Sequence, residues 1–137
     1  MAQQATLNPE GNLQRRKTMQ KNSISRWQSL VHAVHGFKVV FQETNAKIHL
    51  GMAVLAIALG FAMQITRMEW VAICFAIASV IGAEALNTAL EKVVDLASPD
   101  WHETARQAKD AAAAAVLIFS LGAVCVGALI FLPKMLA

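Results

Sequence analysis

The sequence predicts an all-α membrane protein, with three transmembrane helices preceded by an amphipathic helix at the membrane surface. Three observations predict it. The chain of 137 residues is 56% hydrophobic and only 15% charged, a balance outside the usual soluble composition and a length short for more than one domain. Three apolar runs approach the roughly 20 residues that a bilayer's hydrocarbon core requires. Lys and Arg gather on one side of those runs, as cytoplasmic retention demands.

Each element follows in order. Residues 1–24 are polar, with few large apolar side chains and no periodicity, and are expected to be a disordered cytoplasmic leader. A secretory signal is not expected, because this leader is too long for an n-region. Over residues 25–42, Trp27, Leu30, Val31, Val34, Phe37 and Phe41 recur at helical intervals with Arg26, Lys38 and Gln42 between them. That pattern predicts an interfacial helix, lying beneath the headgroups or packing on the protein's own cytoplasmic end. The spans are placed at about 48–65, 70–90 and 111–132. The first carries no formal charge apart from His49, the second is interrupted only by Glu84, and the third has none. Residues 25–137 thus form one integral membrane domain.

Two connections complete the map. Residues 64–69 make a short outer turn. Residues 97–108 make a longer inner one, in which Pro99 fits the first position of a short helix capped by Ser98, with Asp100 and Glu103 near its positive end. The alanines at 111–115 permit close helix packing.

Charge sets the orientation. Arg15, Arg16, Lys17, Lys21, Arg26, Lys38 and Lys47 precede the first span, and Lys92, Arg106 and Lys109 lie between the second and third. Only Arg67 falls in the first short loop and only Lys134 after the last span. The N-terminus and the second loop are therefore expected in the cytoplasm and the C-terminus outside. The formal charge of +3 reads as topology and anionic-lipid contact, and no groove-reading element points to nucleic acid. Cys74 and Cys125 both fall inside spans without metal-ligand spacing and are assigned to packing. His32, His35 and His49 make no zinc signature. Glu43, Asn45, Lys47 and His49 alternate, which is not a helical face, so that cluster must wrap around a helix end.

The carboxylates carry the chemistry. Glu84, Asn87, Glu91 and Asp95 stand three, four and four residues apart, which stacks them on one stripe of a helix. A charge at the bilayer centre costs about 2.5 to 3.5 kcal/mol even on lenient scales, so such a ladder serves a function or faces a protected interior. Glu91, Asp95 and Glu43 are expected at the cytoplasmic interface with Lys109 and Asp110. Carboxylates there would suit Mg²⁺, a hard cation that takes oxygen ligands and bridges phosphates, while a lysine neutralises phosphate oxygens. Glu84, about 10 Å deeper along the helix, is withdrawn from water as a general base for a lipid alcohol would be. The bland reading is that these groups pair between helices and fix their register. Two other classes also use a membrane carboxylate: a small proton-coupled transporter with Glu84 as its protonatable site, and a rotor-type ring subunit. Both leave Glu91, Asp95, Lys109 and Asp110 without a task.

The segment Glu84-Ala85-Leu86-Asn87-Thr88-Ala89-Leu90-Glu91, followed by Val94-Asp95 and later by Ala108-Lys109-Asp110-Ala111-Ala112, resembles the signature of the prokaryotic diacylglycerol kinase family. Glu43-Thr44-Asn45-Ala46-Lys47-Ile48-His49 is similar to the start of that family's first span, and the resemblance covers roughly residues 26–133. It implies a three-span lipid kinase of the bacterial inner membrane, unrelated to P-loop kinases, that works as a homotrimer with active sites shared between subunits. It implies Glu84 as catalytic base, and Glu43 and Glu91 as ligands of Mg²⁺ with ATP. Asn87, Asp100, Trp101, His102, Lys109 and Asp110 match nucleotide-site residues, and Asp95 belongs to the motif. With Glu84, the residues Asn45, Lys47 and His49 are the candidates for contact with the lipid substrate. The family divides into enzymes acting on diacylglycerol and on undecaprenol, and this chain resembles the second type at residues 43–49, in its Lys-Asp-Ala-Ala-Ala run, and at Phe131-Leu132-Pro133-Lys134. Residues 36–43 are shorter than the family pattern, so no contact is carried over upstream of Glu43.

Overall fold

A computed structural model describes residues 26–136, which form four helices and, among the described residues, no strand. They are α1 (Arg26–Val40), α2 (Thr44–Ala62), α3 (Arg67–Ala97) and α4 (Glu103–Leu136). The leader expected at 1–24 lies outside the described residues. The chain divides into two compact units, Met1–Gly36 and Phe37–Ala137. Trp27, Leu30, Val34 and Phe37 of α1 are exposed, and the site described below lies wholly in the second unit.

The helices α2, α3 and α4 are each long and apolar enough to cross a membrane. α3 and α4 overrun the spans expected from apolarity, whereas α2 starts four residues before the expected 48–65 and stops three short of its end. The second was placed at 70–90, whereas α3 covers 31 residues, about 46 Å at the usual rise against a hydrocarbon core of about 30 Å. The third was placed at 111–132, whereas α4 runs from Glu103 through Pro133 to Leu136. The physical reason is that apolarity marks only the lipid-crossing part, while main-chain hydrogen bonding carries a helix on into water. The extra turns are where the acidic stripe of α3 emerges.

Why α2 can lie close to α3 is written in its small residues. Ala46, Ala53 and Gly60, seven residues apart, are its buried positions, and small side chains let helix backbones approach. At Gly60 the approach is tightest, since an added Cβ would stand 2.8 Å from Cη2 of Trp70. Ile65, Ile73, Ile130 and Phe131 form the packed core at this end, with Trp70, Leu59 and Val126 against it.

The turn between α2 and α3 is locally encoded. Gln64 takes a positive φ of 49°, in the left-handed region where a tight turn reverses the chain. Thr66 then caps α3 in a reciprocal box. Its hydroxyl accepts from the Glu69 amide at 3.4 Å, and its own amide donates to Glu69 Oε2 at 2.6 Å.

The second connection departs from expectation. No short helix starts at Pro99; residues 98–102 are irregular and α4 begins at Glu103. Ser98 ends α3 instead, its amide donating to the Val94 carbonyl at 2.8 Å and its hydroxyl to the Asp100 carbonyl at 3.1 Å. His102 opens α4, its Nδ1 accepting from the Thr104 amide at 3.2 Å. Arg106 and Gln107 then bind Glu103 one turn on, which fixes the start at 103. Cys74 and Cys125, assigned to packing, are both exposed in the single chain. The core did not need them.

Candidate functional site

Glu84 lies on the face of α3 that meets α2, eleven residues beyond Ile73 and therefore about 16 Å along the rod from the apolar core. There α2 begins, and Glu43, its N-cap residue, comes to the same level. The result is a small polar cleft of about 160 Å³ lined by Glu43, Thr44, Asn45, Glu84, Asn87, Thr88 and Glu91. The stripe read from spacing thus faces protein rather than lipid.

Burial is graded across this cleft. Its floor is Glu84, 2% exposed, Thr88, 3%, and Asn87, 6%. Glu43 and Glu91 are half-buried at its rim, and Thr44 and Asn45 are exposed at its mouth. On the floor Glu84 Oε2, Asn87 Oδ1 and Thr88 Oγ1 are buried without a hydrogen-bond partner in the chain. Unsatisfied buried polar atoms each cost about 1–3 kcal/mol, so three on one floor mark a place built for something polar to enter.

At the rim the acidic groups have partners they can exchange. Asn87 Nδ2 donates to Glu91 Oε1 at 3.2 Å, and Lys92 Nζ reaches Glu43 Oε1 at 3.4 Å. Further along α3, Asp95 pairs with Lys109 of α4 at 2.6 Å. Asp110 pairs instead with Arg106 at 2.6 Å, and Arg106 also holds Glu103. The Asp95–Lys109 pair ties the polar end of α3 to α4, the most extensive helix contact among the described residues, while the Arg106 pairs are internal to α4.

The structure brings together Glu43, Asn45, Glu84, Asn87 and Glu91 of the residues singled out in the sequence. It does not place the others in that cleft. Lys47 turns back to donate to the Gln42 carbonyl at 3.0 Å. His49 lines a separate apolar groove of about 510 Å³ between α2, α3 and α4. Asp100, Trp101 and His102 are exposed in the connection, while Lys109 and Asp110 are engaged in the pairs above. The alternating cluster therefore does wrap around the start of α2, but its members diverge to three surroundings.

Thr88, Thr44 and Lys92 are the cleft neighbours that sequence reasoning passed over. Thr88 stands four residues after Glu84, so the helical spacing that picked out Asn87 and Glu91 also picked it out. A helical hydroxyl can be satisfied by its own backbone, so its spacing alone carries little signal.

A buried carboxylate under an acidic rim, on helices fit to cross a bilayer, defines a polar site built into a membrane-type helical bundle. The family model described as prokaryotic diacylglycerol kinase matches residues 31–131, and the chain belongs to that family of lipid kinases. It is 38% identical over 117 residues to an undecaprenol kinase of Bacillus subtilis (strain 168), covering 84% of this chain and 95% of the relative. It is 34% identical over 131 residues to a diacylglycerol kinase of Synechocystis sp. (strain ATCC 27184 / PCC 6803 / Kazusa), covering 89% of this chain and 73% of the relative. A diacylglycerol kinase of Haemophilus influenzae (strain ATCC 51907 / DSM 11121 / KW20 / Rd) is 32% identical over 91 residues, 66% of this chain and 77% of that protein. No solved structure matches the chain. Membership of a kinase family leaves the transporter and ring-subunit alternatives without support.

Proposed function

We propose that this chain transfers the terminal phosphate of ATP to the hydroxyl of a membrane lipid, undecaprenol before diacylglycerol, with Glu84 as general base. The observation that carries the reading is the unpartnered Glu84 carboxylate on the floor of a cleft whose rim holds Glu43 and Glu91. The higher identity to the undecaprenol kinase than to the two diacylglycerol kinases supports the first substrate.

The division of labour follows from depth. Glu43 and Glu91, with the free Oδ1 of Asn87 between them in sequence, offer the oxygen donors that suit Mg²⁺. Among the described residues no three His, Cys, Asp or Glu side chains gather as a metal group, so an ion held by Glu43 and Glu91 would need further oxygens from water and phosphate. When bound, Mg²⁺ supplies neutralisation of the phosphate charge. Glu84, one to two turns deeper, accepts the proton of the lipid alcohol. The apolar groove begins a single turn from the cleft, since Val80 precedes Glu84 by four residues and His49 follows Asn45 by four. A lipid tail lying along it keeps to the bilayer while its alcohol reaches the carboxylate.

Asp100, Trp101, His102, Lys109 and Asp110 stand apart from this cleft. In our reading they reach the nucleotide of a neighbouring subunit in a homotrimer, since all of them lie outside the cleft of their own chain. The exposed Trp27, Leu30 and Val34 of α1 suit a helix at the headgroups. Residues 25–137 form the kinase domain, with the N-terminus and cleft on the cytoplasmic side of the inner membrane and the C-terminus outside. Labelled ATP with Mg²⁺ and either undecaprenol or diacylglycerol tests the substrate. Glu84→Gln tests the base: phosphorylation should fall about 10²- to 10⁴-fold with Mg-ATP affinity retained, and near-normal turnover would remove Glu84 from the role.

A further inference from the structure

The stripe on α3 holds one more group than the reaction above employs. Thr88 is 3% exposed, lines the cleft, and its hydroxyl has no partner. A Ser or Thr inside a helix can satisfy its hydroxyl on the carbonyl four residues back, although the Oγ of Ser120 in α4 is buried without a partner too. Ser79, on α3 like Thr88, does so, donating to the Phe75 carbonyl at 2.8 Å. Thr88 does not, although the carbonyl of Glu84 stands at that position. Its hydroxyl stays unpaired in the wall of the cleft.

The neighbouring unpartnered atoms set what a ligand there must do. Glu84 Oε2 and Asn87 Oδ1 are acceptors, and one of the two N–H groups of Asn87 is given to Glu91. Among the three floor residues Thr88 is the one whose single polar atom, wholly unengaged, can both donate and accept. A group that both gives and receives a hydrogen bond satisfies Glu84 and Thr88 together, and an alcohol is such a group. Residues four apart on a helix have Cβ atoms about 5–6 Å apart, a gap that one oxygen bonded to both side chains fills.

Building on the kinase reading above, we infer that Thr88 binds the acceptor oxygen of the lipid alcohol, donating to it while that alcohol donates to Glu84. One lone pair of the oxygen is then occupied by Thr88 and the proton is aligned on the carboxylate. The remaining lone pair is left to face the nucleotide. In the transfer the proton passes to Glu84, the alcohol oxygen bonds to the terminal phosphorus, and the bond from that phosphorus to its bridging oxygen breaks to release ADP. Thr88 keeps its own proton throughout. Its contribution is to orient the alcohol beside Glu84 on the buried floor of the cleft.

The test uses the full-length protein in lipid vesicles with undecaprenol or diacylglycerol, whichever is phosphorylated. Thr88→Val keeps the shape and removes the hydroxyl, and Thr88→Ser keeps the hydroxyl and removes the methyl. T88V should lose about ten- to a hundredfold in kcat/KM for the lipid with KM for Mg-ATP within about twofold of wild type, and T88S should recover most of the loss. Should T88V fold poorly, T88A against T88S makes the same comparison. Unchanged lipid kinetics in T88V, or equal losses in T88V and T88S, would overturn the assignment, as would a loss confined to ATP. Glu84→Gln runs alongside: if E84Q is silent and T88V matches wild type, Thr88 alone is wrong, whereas an active E84Q sinks the reading of the whole cleft.

Discussion

Replacing Gly60 with alanine should loosen the bundle, and a matched change at Gly51 on the same helix should not. At Gly60 the new Cβ would stand 2.8 and 3.0 Å from Cη2 and Cζ2 of Trp70 and 3.1 Å from Cδ1 of Ile65. At Gly51 it meets nothing within 4 Å. Both substitutions gain about 1 kcal/mol of helix propensity, so their difference isolates the contact. Overpacking costs about 1–3 kcal/mol. Trp70 cannot yield freely, because Phe61 lies against it with ring centroids 4.8 Å apart, and such a pair contributes about 0.5–1.5 kcal/mol. G60A should therefore be about 2–4 kcal/mol less stable than G51A in reversible detergent unfolding followed by helical circular dichroism. Equal stabilities would refute the close approach of α2 to the Trp70 ring.

Glu91→Gln should weaken Mg²⁺-dependent ATP binding while leaving metal-free nucleotide binding little changed, measured by titration with and without the cation; an unchanged Mg²⁺ dependence counts against Glu91 as a ligand. Thr66→Ala removes the hydroxyl that caps α3 and should cost about 1 kcal/mol in the same unfolding assay, with phosphorylation unaffected, since the cap lies at the opposite end of α3 from the cleft.

Much of this protein was legible because lipid leaves few choices. The apolar runs identified α2, α3 and α4, and the three-and-four spacing placed Glu84, Asn87 and Glu91 on one face, which the cleft bears out. What hydropathy could not supply was where helices stop. Asp95 lies beyond the expected second span yet within α3, where Lys109 of α4 pairs with it, and such a partner from another helix has no signature in local sequence. Ser98 and Pro99 resembled a helix start by type, but the sequence does not announce that His102 can cap with a ring nitrogen. Likewise, the divergence of Lys47 and His49 from Asn45 depends on what surrounds the first turn of α2. Thr88 was visible in the motif and silent in it, since only burial shows that its hydroxyl lacks a partner.

Because Glu84 and Glu91 ride on a single uninterrupted rod, the interval between them is set by helical pitch at about 10 Å and not by any loop. Such a rod works as a dipstick. Its lower mark is sunk in the protein and its upper mark stands at the half-exposed rim, so on the kinase reading an acceptor would be recognised partly by how far below the surface its oxygen lies. A lipid alcohol anchored at another height would be refused without one contact to its tail.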